Sequence, residues 1–119
     1  MNILYVEDNE AVRSIGVEFI EEIGHHVVGC ETAEIAIDAL KTQSFEVLLT
    51  DVSLPGMSGA DLARIVAKEY PAMRLIMASG YGWQRELDSI GPRVLSLPKP
   101  FDLDELESML AGIAAELKT

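Results

Sequence analysis

Val47-Leu48-Leu49-Thr50-Asp51 is the stretch whose reading decides the fold of this chain. Three apolar residues and a β-branched one suit a short strand buried on both faces, as in parallel sheets. A carboxylate closes the run, and Pro55, Gly56 and Gly59 follow with turn chemistry. An acidic side chain at the exit of a buried strand is costly unless water, a metal or a base receives it. In open α/β sheets, ligands bind in the crevice outside the carboxyl ends of the strands. Asp51 is therefore the first candidate for chemistry, although alone it would read as a turn or helix-approach aspartate.

Three more runs end in polar groups. Ile3-Leu4-Tyr5-Val6 is closed by Glu7-Asp8, and Leu75-Ile76-Met77-Ala78 by Ser79-Gly80. Val94-Leu95-Ser96-Leu97 passes through Pro98 into Lys99-Pro100. Helical spacing fills the intervals. Val12, Ile15, Gly16, Phe19, Ile20 and Ile23 predict an amphipathic helix over about 10–23, with Gly24 placed to stop it. His25 to Cys30 reads as a strand, and Ala33, Ala36, Ile37 and Leu40 line a second helix. Ser58 and Asp61 have capping-box spacing and open a third, with Leu62, Ile65 and Val66 inward. A short helix is expected around Trp83, Leu87 and Ile90, ended by Gly91-Pro92. Asp102 and Glu105 repeat the capping spacing before a last helix striped by Leu103, Leu106, Leu110, Ile113 and Leu117. Strand and helix alternate five times, the pattern of a parallel sheet covered on both faces. Right-handed crossovers leave few topologies, and a flavodoxin-like α/β fold of strand order 2-1-3-4-5 with five helices is expected.

At 119 residues and 49% hydrophobic, the chain suits one globular domain, 1–119, without linker or repeat. No apolar run approaches the ~20 residues of a membrane helix. Met1 leads straight into the first strand, and the single cysteine, Cys30, suits a reducing compartment, so a cytoplasmic location is expected. A formal net charge of −11 disfavours direct contact with nucleic acid or anionic lipid.

In the 2-1-3-4-5 order, strands one and three are neighbours, so Glu7, Asp8 and Asp51 meet at the topological switch point. Three carboxylates this close repel one another unless a cation sits among them. Oxygen ligands without nearby histidine or cysteine favour a hard ion, and Mg²⁺ is the natural choice. Lys99 adds a positive charge, Ser79 a hydroxyl and Gly80 an unobstructed backbone N–H. These are the parts needed to hold the oxygens of a phosphoryl group.

Glu7-Asp8, Asp51 in Leu-Leu-Thr-Asp, Leu54 to Gly59, Ala78-Ser79-Gly80 and Lys99-Pro100-Phe101 together resemble the receiver domain of two-component response regulators, over essentially the whole chain. The resemblance implies that Asp51 accepts a phosphoryl group from a histidine of a sensor kinase or phosphotransfer protein. It implies Mg²⁺ held by Asp8, Asp51 and the backbone carbonyl of Ser53, with Glu7 acting through water. Ser79 would be the switch hydroxyl, Lys99 would pair with the phosphoryl group, and the bond before Pro100 would be cis. The output would be contact with a downstream protein or output domain, not an enzyme activity on a small substrate. Receivers usually carry an aromatic residue three positions before the lysine, where this chain has Ser96. Tyr81 or Trp83 is the expected substitute reporter of phosphorylation.

Blander readings apply elsewhere. His25 and His26 make a poor metal pair on a strand, and Cys30, Met73, Met77 and Tyr5 read as packing. Two rival functions share the fold. A Mg²⁺-dependent phosphatase needs a general-acid aspartate two residues after its nucleophile, where this chain has Ser53. A flavin binder needs a phosphate-cradling loop after strand one, where Glu7-Asp8 would repel the phosphate.

Overall fold

The computed structural model describes residues 1–80, 88–91 and 94–118. Five strands, β1 (Asn2–Val6), β2 (His26–Cys30), β3 (Val47–Asp51), β4 (Arg74–Ser79) and β5 (Val94–Pro98), form one sheet of order β2-β1-β3-β4-β5. Every pairing is parallel, with Tyr5 opposite Leu49, Asp51 opposite Ala78 and Ser79 opposite Pro98. This is the flavodoxin-like order that the alternating pattern predicts.

The sheet separates two apolar layers, because successive strand residues point to opposite faces. On one face Leu4, Val6, Leu48 and Met77 pack with α2 (Ala33–Thr42) and α3 (Gly59–Glu69). On the other, Ile3, Tyr5, Val47, Leu49, Ile76 and Leu97 pack with α1 (Glu10–Glu22) and the C-terminal helix (Leu103–Leu117). Each fully buried Leu or Ile contributes ~1.5–3 kcal/mol of transfer free energy, which pins the strands' register and with it their exits.

The helices start where side chains can cap them. Asn9, Thr32 and Ser58 accept from the backbone N–H groups of Val12, Ile35 and Asp61. Asp102 caps the C-terminal helix through the N–H of Asp104. Gly24, at φ 97°, turns the chain after α1 in the left-handed region that glycine enters freely.

Several expectations need correcting. Val12 and Ile15 belong to the α1 stripe yet are 39% and 59% exposed, and Leu117 is 45% exposed. His25 precedes β2, and its Nδ1 lies 3.0 Å from the amino group of Met1. Of the helix expected around Trp83, Leu87 and Ile90, residues 88–90 are helical and the rest lies outside the described residues.

Candidate functional site

The exits of β1 and β3 meet as their adjacency requires. Glu7, Asp8 and Asp51 each offer a carboxylate oxygen within 4.8 Å of the others. The three differ in surroundings. Glu7 is 3% exposed, whereas Asp8 is open to solvent and Asp51 lies between them in burial.

Lys99 closes the cluster from β5's end. Its Nζ donates to Asp51 Oδ2 at 2.7 Å and to Glu7 Oε1 at 3.1 Å. Burial on its own would lower the Lys99 pKa, but the hydrogen bonds to Asp51 and Glu7 and their charges outweigh it, so the pKa is raised. The ammonium is therefore held charged between two carboxylates. The Lys99–Pro100 bond is cis, and the Lys99 N–H donates to the Ser79 carbonyl at 2.8 Å.

Glu7 has no idle oxygen. Its Oε2 accepts from the Asn9 N–H at 3.0 Å, while Arg13 Nη1 donates to its backbone carbonyl at 2.8 Å. Asp51 is freer, since its second oxygen receives only a long contact, 3.4 Å, from the Ser53 N–H.

The loop after Asp51 folds back tightly. The Gly59 N–H donates to the Val52 carbonyl at 2.9 Å, and a Cβ on Gly59 would lie 1.7 Å from the Asp51 carbonyl oxygen. Beneath the carboxylates, Tyr5 is 2% exposed and its ring lies against Gly16, where a Cβ would come within 2.5 Å of Tyr5 Cε2. Burial first, then the charges of Glu7 and Asp51, push the Tyr5 pKa up.

Glu7, Asp8, Asp51 and Lys99 thus come together. Ser79 is buried at the end of the neighbouring strand, one residue beyond the Ala78 that faces Asp51, with Gly80 next to it. Ser53 is exposed in the loop after Asp51, and Ser96 is exposed on β5 opposite Met77, two registers short of the crevice. Tyr81 and Trp83 lie outside the described residues. Sequence reasoning did not find Asn9, Arg13 or Gly59 as site residues. Asn9 carries a readable N-cap signal, but its backbone contact to Glu7 carries none. Gly59 looks like any turn glycine until Asp51's carbonyl is seen against it.

Oxygen donors on two adjacent strands, faced by a lysine from the far side, suit a hard cation and a bound anion together. A flavodoxin-like sheet with this acidic, lysine-closed crevice is the build of a signal receiver. The model of the response regulator receiver domain matches residues 3–111, and the chain belongs to that family. It is 33% identical to the response regulator receiver protein CpdR of Brucella abortus, over 91% of this chain and 95% of that one. It is also 33% identical to the sensor kinase CckA of the same organism, over 87% of this chain but 11% of that protein. The response regulator protein FleR of Pseudomonas aeruginosa is 29% identical, over 92% of this chain and 24% of its own length. The chain therefore spans nearly all of one relative and a small part of the others. Among solved structures, a response regulator receiver protein from Pseudomonas putida superposes with a TM-score of 0.84 at 28% identity, covering 93% of this chain and 95% of that one. The signal receiver domain of an HD domain-containing protein from Pseudomonas fluorescens Pf-5 has a TM-score of 0.90 at 20% identity, covering 97% and 94%. The family is regulatory and works in two-component signalling, with a sensor kinase among these relatives. No helix among the described residues is long and apolar enough to cross a membrane.

Proposed function

We propose that residues 1–119 act as one receiver unit whose Asp51 accepts a phosphoryl group from a histidine of a sensor kinase or phosphotransfer protein, in a Mg²⁺-dependent reaction. The single observation that supports this most is Lys99, whose ammonium bridges Asp51 and the buried Glu7 beside the open Asp8. One Asp51 oxygen attacks phosphorus, the bond from phosphorus to the donor nitrogen breaks, and that electron pair stays on the donor imidazole. Asp8, Asp51 and the Ser53 carbonyl would hold the Mg²⁺, with Glu7, whose oxygens are already engaged, acting through water. When bound, the ion supplies charge neutralisation for the phosphoryl oxygens during in-line attack. Lys99 neutralises them from the other side, and the Ser79 hydroxyl and Gly80 N–H offer donors to the transferred group.

The site modifies itself and has no substrate to turn over, so its output is a changed contact with a downstream protein or output domain. Ser79 is the switch hydroxyl, and Tyr81 or Trp83, in place of Ser96, reports its state. Trp83 fluorescence that stays flat while Asp51 is shown to be modified would count against that route. The net charge of −11 keeps nucleic acid and anionic lipid from binding directly, and the role is a cytoplasmic one. An apolar groove of about 310 Å³ between α1 and the start of the C-terminal helix borders Lys99, and Val12, Ile15, Pro100 and Phe101 line it. We infer that its occupant is the histidine-bearing donor, because the groove borders the lysine that pairs with Asp51.

Intact mass after incubation with Mg²⁺ and acetyl phosphate tests the assignment. One added phosphoryl group is expected in the wild type and none in Asp51→Asn. A phosphoryl group that persists in the variant refutes Asp51 as acceptor.

A further inference from the structure

Tyr5 is 2% exposed, and among the described residues its hydroxyl has no hydrogen-bond partner. A buried donor left unmade costs stability, and a phenylalanine of the same shape would avoid that cost. Such a group calls for a specific reason. The chain also makes room for it: a Cβ on Gly16 would lie 2.9 Å from the Tyr5 hydroxyl oxygen.

Strand alternation puts Tyr5 and Glu7 on the same face of the sheet, and Leu49 and Asp51 on that face of the neighbouring strand. Tyr5 pairs with Leu49 in register. In the resting protein Glu7 needs nothing from Tyr5, because Lys99 serves Oε1 and the Asn9 N–H serves Oε2. Phosphorylation changes that division. An acyl phosphate on Asp51 carries more negative charge than the carboxylate it replaces. The ammonium already sits nearer Asp51, at 2.7 Å against 3.1 Å to Glu7, and the added charge draws it away from Glu7. Glu7 is 3% exposed, so the oxygen that the ammonium leaves is poorly served by bulk solvent and calls for a donor held in the fold.

We propose that Tyr5 is a positioning residue that takes over Glu7 when Lys99 turns to phosphorylated Asp51, its hydroxyl donating to the carboxylate oxygen that the ammonium leaves. This rests on Asp51 being the phosphoacceptor. The Tyr5 hydroxyl is then idle in one state and bonded to a charge in the other, which biases the protein towards the phosphorylated form.

The test compares wild type with Tyr5→Phe in Mg²⁺, titrated with beryllium fluoride as a non-transferable mimic of the phosphoryl group. Without the mimic, Tyr5→Phe is expected to unfold at the same or a higher temperature. With it, binding is expected to weaken about tenfold, the factor that a hydrogen bond to a charged group carries. In a Glu7→Gln background, Tyr5→Phe should have a much smaller effect, because the two side chains act as one pair. Equal mimic affinity in the two proteins overturns the proposal. So does an equal loss of stability with and without the mimic, which is what a hydroxyl satisfied by a buried water would give. Acetyl phosphate and mass spectrometry separate the two levels. If the wild type gains no phosphoryl group, the Asp51 reading fails and this one with it. If both proteins gain it and bind the mimic alike, only the role of Tyr5 fails.

Discussion

Gly59 faces the Asp51 carbonyl across a gap that admits a hydrogen atom and nothing larger. Gly59→Ala is therefore expected to cost about 2–4 kcal/mol in urea unfolding, because backbone, not a flexible side chain, must move. Lys99 poses a different problem, since removing it leaves Glu7 and Asp51 facing one another with side-chain exposures of 4% and 13%. Breaking a buried ion pair from one side is strongly destabilising. Lys99→Met is expected to lower stability by about 1–3 kcal/mol without divalent cation, its partial exposure moderating the loss. Millimolar Mg²⁺ should restore part of it, as thermal unfolding with and without the ion can show. The titrations of Cys30, Tyr5 and Lys99 all push the same way. Their pKa values are raised in the fold from ordinary values of 9.0, 10.0 and 10.5. Each folded form holds its proton longer than the unfolded chain, so the stability they give is complete below about pH 9 and declines as pH rises through their folded values. A urea midpoint followed from pH 8 to 11 should fall, and Tyr5→Phe should flatten the part above pH 10.

α1 shows how far a helical stripe can be read. Its spacing marks Val12 and Ile15 as apolar-face residues, yet only Gly16 and Ile20 of that helix are buried. Periodicity reports which residues avoid water in some state, and it does not say whether a core or a partner covers them. Ile15→Ala, at 59% exposure, is expected to change stability by less than about 0.5 kcal/mol. If the groove seats the donor, the same change slows phosphotransfer from a histidine donor and leaves acetyl phosphate labelling unchanged. Equal rates from both donors would remove the groove from that role. The C-terminal helix offers a contrast at Gly112, where an added Cβ meets nothing within 4 Å. Gly112→Ala should raise stability by about 0.5–1 kcal/mol through helix propensity. β5 repeats the lesson of α1 at the sheet's edge. Leu95 is 40% exposed although its run reads as apolar, because an edge strand has a neighbour on one side only.

Across the whole molecule, strand order was legible because alternation and crossover handedness leave few topologies, of which 2-1-3-4-5 is the one expected for five units of this size. Once β1 and β3 are neighbours, Glu7, Asp8 and Asp51 have to meet, and their identities are plain in the sequence. Main-chain contacts were not legible: the Asn9 N–H and the Arg13 guanidinium act on Glu7 through positions that any residue pattern could share. Nor could spacing distinguish a satisfied buried tyrosine from Tyr5, since an unpaired hydroxyl is a property of its surroundings. If the cluster is a cation site, binding should stabilise the entire fold, by about 2.7 kcal/mol at a hundredfold excess over Kd. Differential scanning calorimetry against Mg²⁺ concentration measures this, and Asp8→Asn should remove most of the gain. One further tie bears on how such a fold behaves. The main-chain link from Lys99 to Ser79 couples the crevice's ammonium and its hydroxyl through a single peptide-to-peptide bond. Each strand end constrains the other, so if Asp51 is the phosphoacceptor, ammonium and hydroxyl would respond to its occupant in concert, as one two-pronged probe.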